Sequence, residues 1–151
     1  MIIDESFDAD APLERVWALL KDIPTVARCI PNAEITEVVD EKTYRAKVAL
    51  KVGPVSVSYR TTILVEDFDD ATHTASFTIK GNELRGRGGV NATVVSKATR
   101  TDGKTHVALH TDAQISGIVA TVGGRLIEGV AQKTIAQFAS NLAKLLLSRK
   151  D

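Results

Sequence analysis

Two histidines and an aspartate lie close together in one strand-like segment near the middle of the carboxy-terminal half of the chain. His106, His110 and Asp112 alternate with apolar or small residues, so an extended strand places all three side chains on one face. The four-residue separation of the two histidines corresponds to roughly 13 Å along a strand, which is too far for both imidazoles to bind one metal ion. His110 and Asp112 could act as a base and the group that orients it. No serine or cysteine nucleophile accompanies them, and an exposed ion pair is our preferred interpretation.

The single cysteine and a glycine-rich segment are the other candidates for chemistry. Cys29 has no adjacent histidine or lysine to activate its thiol, and we interpret it as a small buried hydrophobic residue. Arg85 and Arg87 alternate with glycines in the segment 84–89, which resembles a phosphate-binding or RNA-binding loop. Because a phosphate loop opens a helix and this segment lies between two strands, we predict a flexible hairpin connection whose arginines contact solvent. Such a loop could border the mouth of a pocket.

Five polar residues occur at positions that alternate with apolar ones or fall on an apolar helix stripe, and they could orient a small molecule in an apolar pocket. These residues are Tyr44, Tyr59, Thr61, Thr111 and Thr134. Each threonine could instead bond a nearby carbonyl group, and each tyrosine could project its hydroxyl group to the rim. We nevertheless expect that together they mark a cavity.

Regularly spaced turn signals divide the chain into the elements that would position these groups. We predict strands over Ile2–Ala9, Ala33–Val39, Thr43–Val52, Val55–Glu66, Thr72–Lys80, Val90–Arg100 and Lys104–Ser116, short helices over 12–22 and 24–29, and one long amphipathic helix over Ile118–Leu147. The apolar stripe of the long helix needs a partner surface, and one face of the sheet is the only surface of matching length. Long antiparallel strands coil as they twist, so the helix should lie across a concave face.

Small or singly polar residues on that face, and an aromatic content of only 5%, predict that helix and sheet leave free volume between them. We predict that the pocket is lined by Tyr44, Ala46, Val48, Val57, Tyr59, Thr61, Phe77, Ile79, Leu109, Thr111, Ala113, Ile127, Ala131, Thr134 and Phe138. We place its mouth at Pro31, Asn32, Gly86 and Gly88. We expect no catalytic residue, no metal and no cofactor.

Composition excludes several classes of function. The chain has 151 residues and a formal net charge of +0, so we expect a single domain over 1–151 without the overall positive field that attracts nucleic acid. No run reaches the roughly 18 apolar residues of a membrane span. Lys144, Arg149 and Lys150 near the tail allow at most a peripheral membrane contact. One cysteine and no signal-peptide pattern predict a reducing, cytoplasmic setting.

Four segments resemble the CoxG family of carbon monoxide dehydrogenase proteins, within the START and pollen-allergen-like (SRPBCC) helix-grip superfamily. They are Phe7–Leu20, Cys29–Ala33, Lys51–Val55 and Ile118–Phe138. Asn32 stands where the family usually has glycine, and asparagine tolerates left-handed backbone angles. The resemblance implies an α+β helix-grip fold, with a seven-stranded curved antiparallel sheet wrapped around a long carboxy-terminal helix and two short helices after the first strand.

The same resemblance implies a non-enzymatic protein that holds an apolar, lipid-like or quinone-like molecule and assists a molybdenum hydroxylase of the carbon monoxide dehydrogenase type. Two alternatives stay open. One is a structural assembly factor for such an enzyme. The other is a cyclase or hydrolase that uses Tyr59, Tyr44 or His110 as acid or base. The sequence leaves the ligand, the partner enzyme and the oligomeric state open.

Overall fold

The computed structural model describes residues 1–148, and in this part of the chain seven antiparallel strands form one sheet. The strands are β1 (Ile2–Ala9), β2 (Ala33–Val38), β3 (Thr43–Val52), β4 (Val55–Asp69), β5 (Thr74–Glu83), β6 (Gly89–Thr101) and β7 (Lys104–Ile115). Their order across the sheet is β1-β7-β6-β5-β4-β3-β2. The predicted number of strands and their antiparallel pairing are confirmed.

Two short helices carry the chain from one edge of the sheet to the other. They are α1 (Leu13–Lys21) and α2 (Ile23–Cys29). Asp22 separates them, and its side chain accepts a hydrogen bond from the backbone N–H of Thr25 at 3.3 Å. This cap and Pro24 in the first turn fix where α2 begins. Because β1 and β2 end up on opposite edges, the sheet has room to curve around a helix.

The strand register places the apolar positions on one face. Ile3 lies opposite Thr111, and Val48 lies opposite Tyr59, so these alternating positions share the concave side. Several strands are longer than predicted: β4 continues to Asp69 through a register shift after Val65, and β5 continues to Glu83. The added residues matter because Glu83 brings a carboxylate to the concave face.

The long helix α3 (Gly124–Ser148) begins later than predicted. Val119–Val122 forms a short 3-10 helix, and Gly123 follows it with a φ of 93°, a left-handed conformation that ends the preceding turn. The prediction of one continuous helix from Ile118 is therefore wrong by six residues. No helix within residues 1–148 is long and apolar enough to cross a membrane. Of the three basic residues considered for a membrane contact, Lys144 is exposed on α3, whereas Arg149 and Lys150 lie outside the described residues.

Candidate functional site

The two halves of α3 contact the rest of the protein very differently. Phe138, Leu142 and Leu146 in the second half are buried, and the ring of Phe138 packs edge-on against Phe7 with 5.6 Å between centroids. In the first half, from Gly124 to Ile135, no residue is fully buried. The helix is therefore anchored on β1, α1 and α2 by its carboxy-terminal half, while its amino-terminal half stands over the sheet.

A cavity of about 360 Å³ lies beneath this amino-terminal half. Its wall combines side chains of the concave face, from β1 across to β3, with those of α3 and of the 3-10 helix. The lining residues are Ile3, Glu5, Val48, Leu50, Val52, Tyr59, Thr61, Val90, Leu109, Thr111, Ile115, Val119, Ile127, Val130, Ala131, Thr134 and Ile135. A buried cluster around Val52, Val57, Tyr59 and Val119 closes one end, and the larger cluster around Phe7 and Phe138 closes the other. The apolar wall and the volume are those of a small-molecule site.

Some polar groups in the cavity wall already have a hydrogen-bond partner within the protein, and others do not. The Thr61 hydroxyl group donates a hydrogen bond to the carbonyl oxygen of Ala46 at 3.0 Å. Within residues 1–148, the hydroxyl groups of Tyr59, Thr111 and Thr134 have no hydrogen-bond partner. No side-chain nitrogen or oxygen of the described residues is both sealed from solvent and unpaired, so these three hydroxyl groups remain accessible. These three hydroxyl groups can still bond a ligand in the cavity.

Tyr59 is the most enclosed of these polar residues, at 6% exposure. Burial raises the pKa of its hydroxyl group, and the neighbouring Glu83 carboxylate raises this pKa further, whereas Arg87 opposes the shift. The phenol is therefore held in its protonated form near neutral pH. This state suits Tyr59 to donating a hydrogen bond rather than exchanging a proton.

Eight of the fifteen predicted pocket residues line the cavity. They are Val48, Tyr59, Thr61, Leu109, Thr111, Ile127, Ala131 and Thr134. Phe77 and Phe138 instead line a separate space of about 150 Å³ deeper under α3, together with Leu109 and Thr134. Ligand contact by any of these residues stays a prediction.

The remaining predicted pocket residues lie on the concave face but do not reach the cavity. Tyr44 lies near the start of β3, where its hydroxyl group donates to the carbonyl oxygen of Glu41 at 3.2 Å. Val57 belongs to the cluster that closes one end of the cavity. Ala46 is packed in the interior at 3% exposure, and Ala113 lies beside the start of α3. Ile79 is half-buried in the middle of β5. The alternation along the strands correctly predicts that these residues lie on the concave face. They do not reach the cavity because α3 crosses only part of that face.

The four residues proposed for the mouth do not surround one opening. None of Pro31, Asn32, Gly86 and Gly88 lines the cavity. Asn32 has a φ of 60° and borders a different groove, of about 540 Å³, at the ends of β3, β4 and β5. Gly88 is pressed against the backbone of Ser116, where an added Cβ would lie 2.1 Å from the carbonyl oxygen.

The glycine-rich connection joins two strands, as predicted, and a buried carboxylate bonds its backbone; the prediction that its arginines contact solvent is wrong for Arg87. The Glu83 side chain is 1% exposed and accepts hydrogen bonds from the backbone N–H groups of Ser58, Arg85 and Arg87 and from the Arg87 guanidinium group at 3.0 Å. These bonds, above all the one from Arg87, lower the pKa of Glu83 to about 2. Arg85 remains exposed, whereas Arg87 also donates to the carbonyl oxygen of Ser56 at 2.8 Å.

The histidines lie on the outer face, as predicted, but with other partners. His110 Nδ1 lies 2.5 Å from Asp4 Oδ1, and His106 Nδ1 lies 2.8 Å from Asp8 Oδ1. The proposed pairing of His110 with Asp112 is wrong because β1 lies directly alongside β7 and brings Asp4 opposite His110. Both pairs are exposed, so these histidines point away from the cavity.

Sequence reasoning missed one polar residue of the cavity wall. Glu5 lies between Ile3 and Phe7, two positions from each, and so shares their inward face. The strand period of two places Glu5 on the inward face of β1, but the prediction assigned that face from its apolar residues alone. Most of the missed apolar residues likewise follow from the strand and helix periods; these are Ile3, Leu50, Val52, Val90, Ile115, Val130 and Ile135. Val119 does not, because it lies in the 3-10 helix.

A long helix held in a curved antiparallel sheet, with an apolar cavity between them, defines a helix-grip protein of the START-like class. The chain belongs to the carbon monoxide dehydrogenase CoxG family, whose model matches residues 6–147. Family and fold together support a protein that binds a hydrophobic ligand.

Solved structures agree with this assignment. A conserved protein from Geobacillus kaustophilus is 26% identical, with a TM-score of 0.86 over 98% of this chain and 96% of that one. The Zhui aromatase/cyclase from a Streptomyces species is 14% identical, with a TM-score of 0.67 over 99% and 96%. A START superfamily protein from Mycobacterium smegmatis is 11% identical, with a TM-score of 0.66 over 97% of each chain. The last two show the fold alone. No match was found among curated proteins.

Proposed function

We propose that the protein binds a lipid-like or quinone-like molecule in the cavity under the amino-terminal half of α3, and that it does so as an accessory protein to a molybdenum hydroxylase of the carbon monoxide dehydrogenase type. The observation that carries the first part is the cavity itself, about 360 Å³ of space with a mainly aliphatic wall. Burying an apolar chain there is favourable by about 25 cal/mol per Å² removed from water.

The polar groups support a ligand with one polar end rather than a plain hydrocarbon. Tyr59, Thr111 and Thr134 keep accessible hydroxyl groups without partners among the described residues. Hydroxyl groups can donate or accept, so they can orient a headgroup or ring oxygen while the aliphatic wall holds the rest. The family to which the chain belongs supports the role beside a carbon monoxide dehydrogenase. A cytoplasmic setting is part of the proposal, in keeping with a single cysteine, Cys29, that is buried.

Filling the cavity tests the binding site. Ala131 faces the cavity from α3, whereas Ala136 on the same helix is exposed, so Ala131→Phe and Ala136→Phe form a matched pair. The protein is purified without detergent, examined by native mass spectrometry for a copurified lipid or quinone, and titrated with the dye Nile red. We expect Ala131→Phe to lower the affinity for Nile red at least about tenfold and Ala136→Phe to leave it unchanged. Equal affinities in the two variants would contradict the location of the site.

The accessory role needs a separate test. The tagged chain is expressed together with a carbon monoxide dehydrogenase, and the enzyme retained on the tag is quantified. We expect retention by the wild-type protein and enzyme activity that depends on an unfilled cavity. Retention combined with unchanged activity in Ala131→Phe would favour the assembly-factor alternative. Failure of the enzyme to copurify at all would contradict the accessory role while leaving ligand binding intact.

A further inference from the structure

We propose that Glu5 makes the cavity selective for amphiphiles whose polar end donates hydrogen bonds, such as an alcohol, a phenol or an ammonium group, and selects against ligands that end in a carboxylate. This inference rests on the proposed function, since it assigns a ligand class to the same cavity. Among lipid-like and quinone-like molecules it favours those whose polar end donates, such as a lipid alcohol or a reduced quinone, over an oxidised quinone, whose ring oxygens only accept. Glu5 is half-buried on the inward face of β1, an edge strand. It lies opposite Leu109 and two residues along β1 from Ile3, which pairs with Thr111.

Glu5 differs from the other carboxylates of its strand in having no protein partner. Asp4 and Asp8, on the outward face of β1, each pair with a histidine. Within residues 1–148, no hydrogen-bond donor or cation pairs with the Glu5 carboxyl group. Glu83, the other glutamate on the concave face, is satisfied by Arg87 and by backbone N–H groups. Glu5 is therefore the acidic side chain of the cavity wall whose acceptor capacity is still available.

The rest of the wall offers an acidic ligand hydroxyl donors but no cation. The lining residues in the described chain include no lysine, arginine or histidine. A ligand without a donor would cover the Glu5 carboxylate and remove it from water without compensation, which is unfavourable. A ligand that ends in a hydroxyl or ammonium group replaces that water with a charge-assisted hydrogen bond. Thr111 on the neighbouring strand and Thr134 on α3, which packs mainly against β1, can supply a second bond.

A charged residue that points inward from an edge strand can also serve to prevent edge-to-edge association between sheets. That role predicts a change in aggregation when the charge is removed, without any change in the preference among ligands. A binding experiment can therefore distinguish the two roles, because only the first predicts a preference among ligands.

The experiment compares decylamine, decanol and decanoate, which share one chain and differ in the polar end. Binding is measured by isothermal titration calorimetry at concentrations below micelle formation. We expect the wild-type protein to bind decylamine and decanol about tenfold or more tightly than decanoate, since a hydrogen bond to a charged group contributes that much or more. Glu5→Gln should bring the three affinities to within about threefold of one another. Glu34→Gln removes the same charge from an exposed position on the opposite edge strand and should keep the wild-type order.

Glu5→Lys provides a second variant, in which decanoate should become the tightest of the three ligands. If none of the three compounds binds the wild-type protein, the proposed function fails. If decanol binds but the order of affinities is the same in wild type, Glu5→Gln and Glu5→Lys, ligand binding stands and the role of Glu5 is overturned. Increased aggregation of Glu5→Gln with an unchanged order would assign Glu5 to protection of the sheet edge instead.

Discussion

Enlarging Ala131 should stabilise the protein, although enlarging a buried alanine usually destabilises one. Ala131 is half-buried and faces the space beneath α3. Leucine adds three carbon atoms, and each buried CH₂ contributes about 0.8 kcal/mol, while ordering the leucine side chain costs about 0.5–1 kcal/mol. We therefore expect Ala131→Leu to raise the free energy of unfolding by about 1.5 kcal/mol, with no loss of helix propensity.

The matched control is Ala98→Leu in the tightly packed cluster around Phe7. Ala98 is 2% exposed and lines neither of the two spaces beneath α3. The added atoms have no room there, so we expect destabilisation by about 1–3 kcal/mol. The two variants should thus differ in sign for the same chemical change. Their melting temperatures should move in opposite directions, by about 2–4 °C for each kcal/mol in a protein of this size.

Urea unfolding, monitored by the fluorescence of Trp17 and by circular dichroism, gives both free energies with the slope as a check on two-state behaviour. Destabilisation of Ala131→Leu to the same extent as Ala98→Leu would mean that α3 already packs solidly on the sheet at this point. The cavity would then be absent in solution, and the proposed binding site beneath α3 would be excluded.

Three further predictions concern the surroundings of the cavity. Glu83→Gln should lower the free energy of unfolding at neutral pH, because the folded protein holds the pKa of Glu83 at about 2 against an ordinary 4.5. In chemical denaturation, the difference from wild type should shrink as the pH falls from 4.5 towards 2. A difference that does not depend on pH would contradict this. Gly117→Ala should cost about 3 kcal/mol or more, since its Cβ would lie 2.0 Å from the Arg87 carbonyl oxygen. Gly86→Ala has a similarly positive φ and open space, and should cost only about 1–2 kcal/mol; equal losses would exclude the steric explanation. His110→Ala should change the free energy of unfolding by at most about 0.5 kcal/mol, because its pair with Asp4 is exposed; a larger loss would show that this pair is structural.

The faces of the sheet could be predicted from the sequence because the period of a strand is two. Every predicted pocket residue on a strand does lie on the concave face, including those that do not reach the cavity. The strand period does not show which part of the concave face α3 covers. Tyr44 and Tyr59 have the same surroundings in the sequence pattern, yet the first lies beyond the helix and the second lies beneath it. That difference depends on packing of the second half of α3 against β1, α1 and α2, which no local pattern records.

The start of α3 could not be predicted for a related reason. In the sequence, residues from Ile118 to Val122 continue the apolar stripe of the long helix. In the folded chain, Gly117 lies against the backbone of Arg87, and the N–H of Ile118 donates to the Arg87 carbonyl oxygen at 2.9 Å. This contact between segments distant in sequence fixes the direction of the chain before the helix can begin.

Glu5 and Glu83 show that the hydrogen-bond partners of an inward-facing carboxylate depend on its place in the strand. Both are glutamates on the concave face, but Glu83 lies at the end of a strand, where the turn supplies N–H groups and Arg87. Glu5 lies in the middle of β1, where no turn directs N–H groups or an arginine towards its side chain. A carboxylate in that position can be satisfied only by water or by another molecule. The cavity wall thus combines aliphatic side chains and hydroxyl groups with one carboxylate. On our proposal, the position of this carboxylate beside Thr111 and opposite α3 determines which end of a bound amphiphile meets the edge of the sheet.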